Sequence, residues 1–193
     1  VGVREGEIVY TVIGGEEPQG ICGSGLVDAL ALCLETGLID ATGRIARAEE
    51  APLLARFLTS ANGMPAVRIA GELALTQKDI REAQTAKAAI SAGIKTLLKK
   101  AGKETGDVQK VYLAGGFGNF MDAQNAVKIG MLPRFPMERI LPVGNAAGAG
   151  AILALCSSER RARLKDIVRA AQTVDLGADP FFMEQYVQDM HFE

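Results

Sequence analysis

The chain has 193 residues, 48% of them hydrophobic, and its 21 basic and 23 acidic side chains give a formal charge of -2. This composition predicts a globular unit with a sizeable core. Neither half of the chain has a large excess of basic residues that could bind along a phosphate backbone, which argues against nucleic acid as a partner. The sequence contains neither an export signal nor an apolar run long enough to enter a membrane. Three cysteines without C-x-x-C spacing and a single histidine argue against a metal site within the chain and favour a reducing, cytoplasmic location.

The first 37 residues predict a hairpin followed by a helix. Two β-rich runs, Val1 to Val3 and Glu7 to Ile13, flank a short turn that contains a glycine. Small residues then precede an apolar stripe at helical spacing, with Ser24 in the position of an N-cap and Gly37 as the stop. This pattern is a glycine loop that opens a helix.

The middle of the chain predicts loops and then one long helix. Residues 38–65 contain scattered prolines and glycines, which favour loops around a short helix near residues 53–58. The longest helix is predicted from Thr76 to about Ala101, because Thr76 and Asp79 have the spacing of a capping box and one apolar face continues as far as Gly102.

The remainder alternates strand and helix, which predicts the α/β class. The predicted elements are a strand at 111–114, a helix from 122 to about 129, a strand at 140–143, and helices at 145–157, 159–171 and from Asp179-Pro180 onward.

Three glycine-rich sites stand where a strand or loop enters a helix: Gly23-Ser24-Gly25, Gly115-Gly116-Phe117-Gly118, and residues 144–150. Helix N-termini carry partial positive charge and unpaired N-H groups, so three of them together could cradle a nucleotide. Each one alone is more often a packing device, and none has the P-loop pattern. The third imitates a dinucleotide fingerprint, but the acidic residue that would bind ribose is replaced by the basic region near Arg169.

No catalytic residue can be assigned from the residues. A Ser-His-Asp or Cys-His arrangement cannot be built with one histidine that lies three residues from the end. The carboxylates all fit helix starts or solvated faces, and Lys78, at the start of the long helix, fits an exposed first turn.

Four segments in this order resemble the C-terminal part of reductive activators of corrinoid proteins and the related ferredoxin-like proteins that share their actin-like ATPase domain. They are "PQGICGSGLVDALALCLETGLID", "LTQKDIREAQTAKAAISAGI", "VYLAGGFGNFMD" and "VGNAAGAGA". The resemblance covers nearly the whole chain. It implies an α/β lobe of the acetate kinase, sugar kinase, heat-shock chaperone and actin superfamily, which is ribonuclease H-like, with a mixed sheet and packed helices, and it implies that the chain is a fragment of a larger protein.

The resemblance also implies a division of the chain. Residues 1–37 and 103–157 would form the sheet-bearing core, residues 38–102 the loops and the long covering helix, and residues 158–193 the C-terminal helices. Members of the family carry a two-iron two-sulfur cluster in a separate N-terminal domain, so that cluster is not expected here.

Several residues inherit a ligand role by this resemblance. Gly115, Gly116, Phe117 and Asn119 match the adenosine motif, in which adenine and ribose lie against backbone. Gly23, Ser24 and Gly25 would lie near the phosphates. The remaining candidates are Gln77 and Lys78 at the start of the covering helix, and Gly144 and Asn145 at the start of the helix about which the lobes hinge.

The function implied by the resemblance is the nucleotide-binding part of an ATP-dependent activator that helps return Co(II) corrinoid proteins of methyltransferase systems to Co(I), with ATP or ADP and Mg as ligands. The superfamily's phosphate turns are absent from this sequence, so we expect the 193 residues alone to be inactive. One alternative is a docking or dimerisation module, including a homodimer, without nucleotide function. A weaker alternative is a Rossmann-type oxidoreductase domain.

Overall fold

The computed structural model describes residues 1–4 and 6–192, apart from the side chain of Asn119. Within these residues, seven strands form three small sheets. They are β1 (Gly2–Arg4), β2 (Glu7–Val9), β3 (Leu58–Ala61), β4 (Met64–Ala70), β5 (Leu73–Thr76), β6 (Val111–Ala114) and β7 (Ile140–Gly144). β1 and β2 pair antiparallel, β3, β4 and β5 form an antiparallel meander, and β6 and β7 pair parallel. The α/β class is therefore confirmed, with both kinds of strand pairing.

Seven α-helices accompany the strands in the described part of the chain. They are α1 (Gly23–Glu35), α2 (Gln77–Lys100), α3 (Gly115–Phe120), α4 (Ala123–Lys128), α5 (Ala146–Cys156), α6 (Ser158–Ala170) and α7 (Pro180–Gln188). Short 3-10 turns at Pro52–Phe57, Thr105–Asp107 and Met137–Arg139 connect some of them. None of the helices in the described residues is both long and apolar enough to cross a membrane.

The long helix α2 begins where its sequence predicts. Thr76 accepts a hydrogen bond from the Asp79 N-H, and the Asp79 carboxylate accepts one from the Thr76 N-H at 2.9 Å, so the capping box is complete. The helix ends at Ala101, whose N-H donates to Leu97, and Gly102 follows in the left-handed region.

The segment 58–76 differs from the sequence interpretation. Most of residues 38–65 were expected to be loops. In the structure, β3, the turn at Asn62-Gly63 and the first residues of β4 lie within this range. Asn62 and Gly63 both have positive φ and join β3 to β4, which is the geometry of a two-residue hairpin. The second strand of the first hairpin is also shorter than predicted, because β2 ends at Val9 instead of Ile13.

One hydrophobic core joins α1, the segment 38–45, β4, β5, the start of α2, the β6–β7 pair and residues 121–135. α2 packs on β4 and β5 with one side and on α7 with another. The largest side chain buried on α2 is that of Lys87, which is 1% exposed, donates to the His191 carbonyl and lies over the ring of Phe192. The core therefore also holds the end of the described chain.

α5 and α6 contrast with this core. They pack on each other, and neither helix has a buried residue. α5 is apolar along nearly its whole length, and Leu155 is 76% exposed. An all-apolar helix is ordinarily buried, so this pair presents an uncovered apolar face.

Candidate functional site

The carboxyl ends of the parallel strands β6 and β7 bring two of the predicted glycine sites together. Ala114 and Gly144 are partners in the strand register, and each is followed directly by the start of a helix or its cap. Crevices outside the carboxyl ends of parallel strands are a common place for ligands in α/β proteins. The pairing places Gly115 beside Gly144 and Asn145.

Gly115 makes the turn from β6 into α3. Its φ is +91°, which L side chains rarely adopt, and a Cβ at this position or at Gly116 would meet nothing within 4 Å. Gly118 differs, since a Cβ there would lie 3.2 Å from the carbonyl carbon of Leu113. Gly118 is therefore a packing glycine, whereas the backbone of Gly115 and Gly116 borders open space.

α3 was not predicted as a helix. The segment "GGFGNF" was expected to connect the strand at 111–114 to a helix from 122, but it forms a six-residue helix of its own. Asn119 lies within α3, and its side chain is outside the described part of the molecule. Phe120 at the end of α3 is 76% exposed.

The first glycine site, Gly23-Ser24-Gly25, is at the start of α1, and Phe117 lies between it and α3. A Cβ on Gly23 would lie 2.7 Å from Cε2 and 2.8 Å from Cδ2 of the Phe117 ring. α1 also contacts α4, where Asn125 Nδ2 donates to Asp28 Oδ1 at 2.8 Å. The N-termini of α1 and α3 are thus neighbours although 92 residues of sequence separate Gly23 from Gly115.

The N-cap of α1 is Cys22, not the predicted Ser24. The Gly25 N-H donates to Cys22 Sγ at 3.4 Å, and Ser24 Oγ lies 3.4 Å from the same sulfur. The hydrogen bond with Ser24, followed by the one from Gly25, lowers the pKa of the Cys22 thiol below its ordinary value. Burial instead raises the pKa of Cys33 to about 12. Sequence reasoning missed the thiol because serine is the commoner N-cap.

A cavity of about 250 Å³ opens at the start of α1. Its walls are mostly apolar and include Tyr10, Ile21, Leu73 and Cys22, and Gly25 of the first glycine site also lines it. The cavity therefore adjoins α1 and is separate from the ends of β6 and β7.

Asn145 caps α5 by accepting a hydrogen bond from the Gly148 N-H at 2.9 Å. Its side chain amide leaves no room at Gly148, where a Cβ would lie 2.7 Å from Asn145 Nδ2. Asn145 is thus used within the protein, and Gly144, with φ +63°, makes the turn that precedes it.

Gln77 and Lys78 have other contacts. Gln77 Nε2 donates to the Gly43 carbonyl at 2.6 Å, and its Oε1 accepts from the Ile45 N-H at 3.0 Å. Lys78 Nζ lies 3.7 Å from Glu82 Oε1 on the exposed face of α2. The contacts of these two side chains therefore tie α2 to the loop 43–45 and to itself, away from the glycine sites.

Within the described residues, no group of three or more His, Cys, Asp and Glu side chains has an arrangement that could hold a metal ion. The arrangement that the structure does offer is backbone: open glycines at the end of β6, a capped helix at the end of β7, and the start of α1 in contact with Phe117. Such surfaces suit a flat or anionic ligand that approaches main-chain N-H groups.

Comparison with known proteins gives consistent relatives. Over residues 2–193 the chain matches the family described as the C-terminal domain of RACo, the ASKHA domain. It is 38% identical to the corrinoid activation enzyme RamQ of Eubacterium limosum over the whole of this chain and 34% of that protein. It is 29% identical to the [Co(II) methylated amine-specific corrinoid protein] reductase of Methanosarcina barkeri, over 83% of this chain and 26% of that protein.

A solved structure has the same fold. The reductive activator for a corrinoid, iron-sulfur protein superposes with a TM-score of 0.88 at 30% identity, over 99% of this chain and 31% of the solved one. The chain thus spans about a third of the length of the relatives it matches. The match over residues 2–193 and the close superposition show that this chain belongs to the family of the C-terminal, actin-like ASKHA domain of RACo.

Proposed function

We propose that this chain is the nucleotide-binding part of an ATP-dependent reductive activator, which helps return a Co(II) corrinoid protein of a methyltransferase system to Co(I). The names of the relatives support the corrinoid role. The observation that carries the nucleotide role is the bare backbone of Gly115 and Gly116, which borders open space at the carboxyl end of β6.

The residues at the glycine sites fit an adenosine phosphate in different ways. The backbone of Gly115 and Gly116 would lie against adenine and ribose, because a ring can approach main chain that carries no Cβ. The start of α1, at Gly23 to Gly25, would lie toward the phosphates, whose negative charge is favoured by the partial positive charge at the N-terminus of a 13-residue helix. In the whole protein, hydrolysis of the bound ATP by water to ADP and phosphate would supply the free energy.

The same proposal limits what the 193 residues do alone. The sequence has no D-x-G-T phosphate turn, and "DLG" at 175–177 is followed by alanine instead of a hydroxyl residue. We expect the isolated chain to bind nucleotide weakly and neither to hydrolyse ATP nor to carry an electron. ATPase activity of the purified chain above that of a Gly116→Leu variant would contradict this expectation.

Substitution of Gly116 tests the nucleotide site directly. A leucine there would project into the open space, where its Cβ meets no protein atom, so the fold is kept while the ligand is blocked. In the unaltered chain, a ligand at a hundredfold excess over its Kd stabilises by roughly 2.7 kcal/mol, a rise in Tm of about 5–10 °C. We expect this rise with Mg-ATP or Mg-ADP, none with NAD, and none with any of them in Gly116→Leu.

Gly106→Leu is the matched control, since a Cβ at Gly106 also meets nothing within 4 Å but lies in the turn before β6. It should keep the full shift. A shift with NAD would favour the oxidoreductase alternative, which has no support in the family assignment. Equal shifts in Gly116→Leu and the unaltered chain would refute this placement of the site.

A docking function is the second candidate, and the uncovered face of α5 and α6 favours it. α6 carries five basic and two acidic side chains on a chain whose total charge is negative. The partner that this face fits is a protein surface with an apolar centre and a rim of carboxylates. In the relatives, about two thirds of the polypeptide lies outside the matched region and is a candidate for that surface.

A further inference from the structure

The contact between Phe117 and Gly23 is closer than any other residue at position 23 would permit. The added Cβ of an alanine would lie 2.7 Å and 2.8 Å from two carbons of one ring edge, distances that real Cβ atoms do not show. Cζ of the ring is farther away, at 3.9 Å. The ring edge therefore lies directly on the backbone at the start of α1.

Two contacts hold α3 in place, and the contact between Phe117 and Gly23 is the second of them. On the first side, Gly118 lies against the backbone of Leu113 in β6, from which α3 emerges. On the second, Phe117 reaches α1. Between these two contacts, Gly115 and Gly116 border open space. The residues of "GGFG" thus have different contacts: Gly115 and Gly116 border open space, Gly118 packs on β6, and one edge of the Phe117 ring lies on α1 while the side chain as a whole is 46% exposed.

We infer that Phe117 is a positioning residue, whose ring spaces α3 from α1 so that the backbone of Gly115–Gly116 and the start of α1 act as one nucleotide site. Gly23 is the second residue of this contact, because only a residue without Cβ leaves room for the ring at that position. The inference rests on the proposed nucleotide function for its consequence, but the contact itself is independent of any ligand. It differs from the role expected for Phe117 from the family resemblance, which was to contact the nucleotide.

A double-mutant cycle on the contact tests the first half of the inference. Gly23→Ala should lower the urea midpoint of unfolding in the unaltered background, because the methyl group displaces the ring. In the Phe117→Ala background the same methyl group should no longer lower the midpoint, since the obstructing ring is gone and alanine is a better helix former than glycine. Gly20→Ala, at a glycine whose Cβ would meet nothing within 4 Å, controls for loop stiffening. Additive effects of Gly23→Ala and Phe117→Ala would overturn the inference.

Ligand affinity tests the second half. Titrations would use Mg-ADP and Mg-pyrophosphate, which has no base. A positioning role predicts that Gly23→Ala and Phe117→Ala each weaken both ligands by a similar factor, roughly tenfold, which is the loss of about one hydrogen bond. Phe117→Tyr should restore affinity, because it keeps the ring edge and adds its hydroxyl group at Cζ.

The outcomes separate this inference from the proposed function. If Phe117→Ala weakens Mg-ADP and leaves Mg-pyrophosphate unchanged, the ring is a surface for adenine and the inference is overturned. If the unaltered chain binds neither ligand, the proposed function fails. In that case the double-mutant cycle of unfolding still tests whether Phe117 and Gly23 interact. Non-additive effects of the two substitutions support the contact, and additive effects overturn it.

Discussion

Cys22 shows how a single residue at the candidate site acquires unusual chemistry. Its thiol caps α1 and is hydrogen bonded with Ser24 and by the Gly25 N-H, and these bonds favour the thiolate. Cys33, only eleven positions away in the sequence, is fully buried, and burial disfavours its thiolate. The pKa values of two cysteines in one helix region are thereby moved in opposite directions.

Alkylation should reveal this difference. With iodoacetamide near pH 8 we expect Cys22 to react in the native chain and Cys33 to react only after unfolding, because the thiolate is the nucleophile. Ser24→Ala removes the main cause of the lowered pKa, so the midpoint of the pH–rate profile of Cys22 should rise toward its ordinary value. Mass spectrometry of peptides after timed labelling measures both effects, and an unchanged midpoint in Ser24→Ala would contradict the assignment.

The lowered pKa of Cys22 also makes the stability of the folded chain depend on pH. A folded-state pKa below the unfolded one means that ionisation of Cys22 stabilises the folded chain. This contribution is fully present above the ordinary thiol pKa and is lost as pH falls through the lowered folded value. Ser24→Ala should reduce that alkaline gain.

At the scale of elements, the loop 40–46 is held by side chains of α2. Gln84 Nε2 donates to the Thr42 carbonyl at 3.0 Å and to the Met190 carbonyl at 2.7 Å, so one buried amide ties the loop and the C-terminal segment to the helix. Gly43 has φ +80°, and a Cβ there would lie 2.5 Å from Gln84 Oε1. The loop therefore requires glycine for both conformation and space.

Two glycine substitutions separate these requirements. Gly43→Ala should destabilise the chain by about 2–5 kcal/mol, because left-handed strain adds to overpacking against a buried amide. Gly63→Ala, where φ is +75° and a Cβ meets nothing within 4 Å, should cost only the strain, about 1–2 kcal/mol. Urea unfolding of both variants measures the difference, and equal losses would show that the contact with Gln84 is unimportant.

At the scale of the whole molecule, the apolar face of α5 and α6 is the largest departure from a closed domain. Ile152, Leu155 and Val168 are 62%, 76% and 72% exposed. Apolar patches of this kind mark interaction surfaces. The net positive charge of α6 opposes contact of this face with the same face of a second copy, so we propose an acidic partner.

We expect the chain to bind the dye ANS and to remain monomeric in light scattering at low ionic strength. A Leu155→Glu, Val168→Glu double variant should lose most of the dye fluorescence, because it places a charge on a highly exposed apolar position of each helix. Leu53→Glu is the control, since Leu53 is 88% exposed in the turn before β3, away from α5 and α6. Dimers that the double variant abolishes would support the homodimer instead, and dye binding unaffected by the double variant would refute the docking face.

Much of this architecture follows from local sequence. The capping box fixes the start of α2, Gly102 its end, and Asp179-Pro180 the start of α7, where Asp179 Oδ1 accepts from the Phe181 N-H at 3.0 Å. These signals act over a few residues, and at these three helix ends the structure keeps them. The meander also had a signal, the Asn62-Gly63 pair between two strand-forming runs, and the sequence interpretation missed it because nearby prolines and glycines resemble a loop.

The site is different, because its parts come from distant positions. The three glycine motifs could be recognised from the sequence. The sequence could not show that Gly118 packs against β6 or that Phe117 lies on Gly23. It also could not show that the side chain of Gln77 is hydrogen bonded to the loop 43–45. The roles of these residues depend on which Cβ positions face protein and which face open space. Local sequence thus determined the elements through short-range hydrogen bonds and backbone preference, whereas tertiary packing alone decided which glycines border open space and which pack against protein.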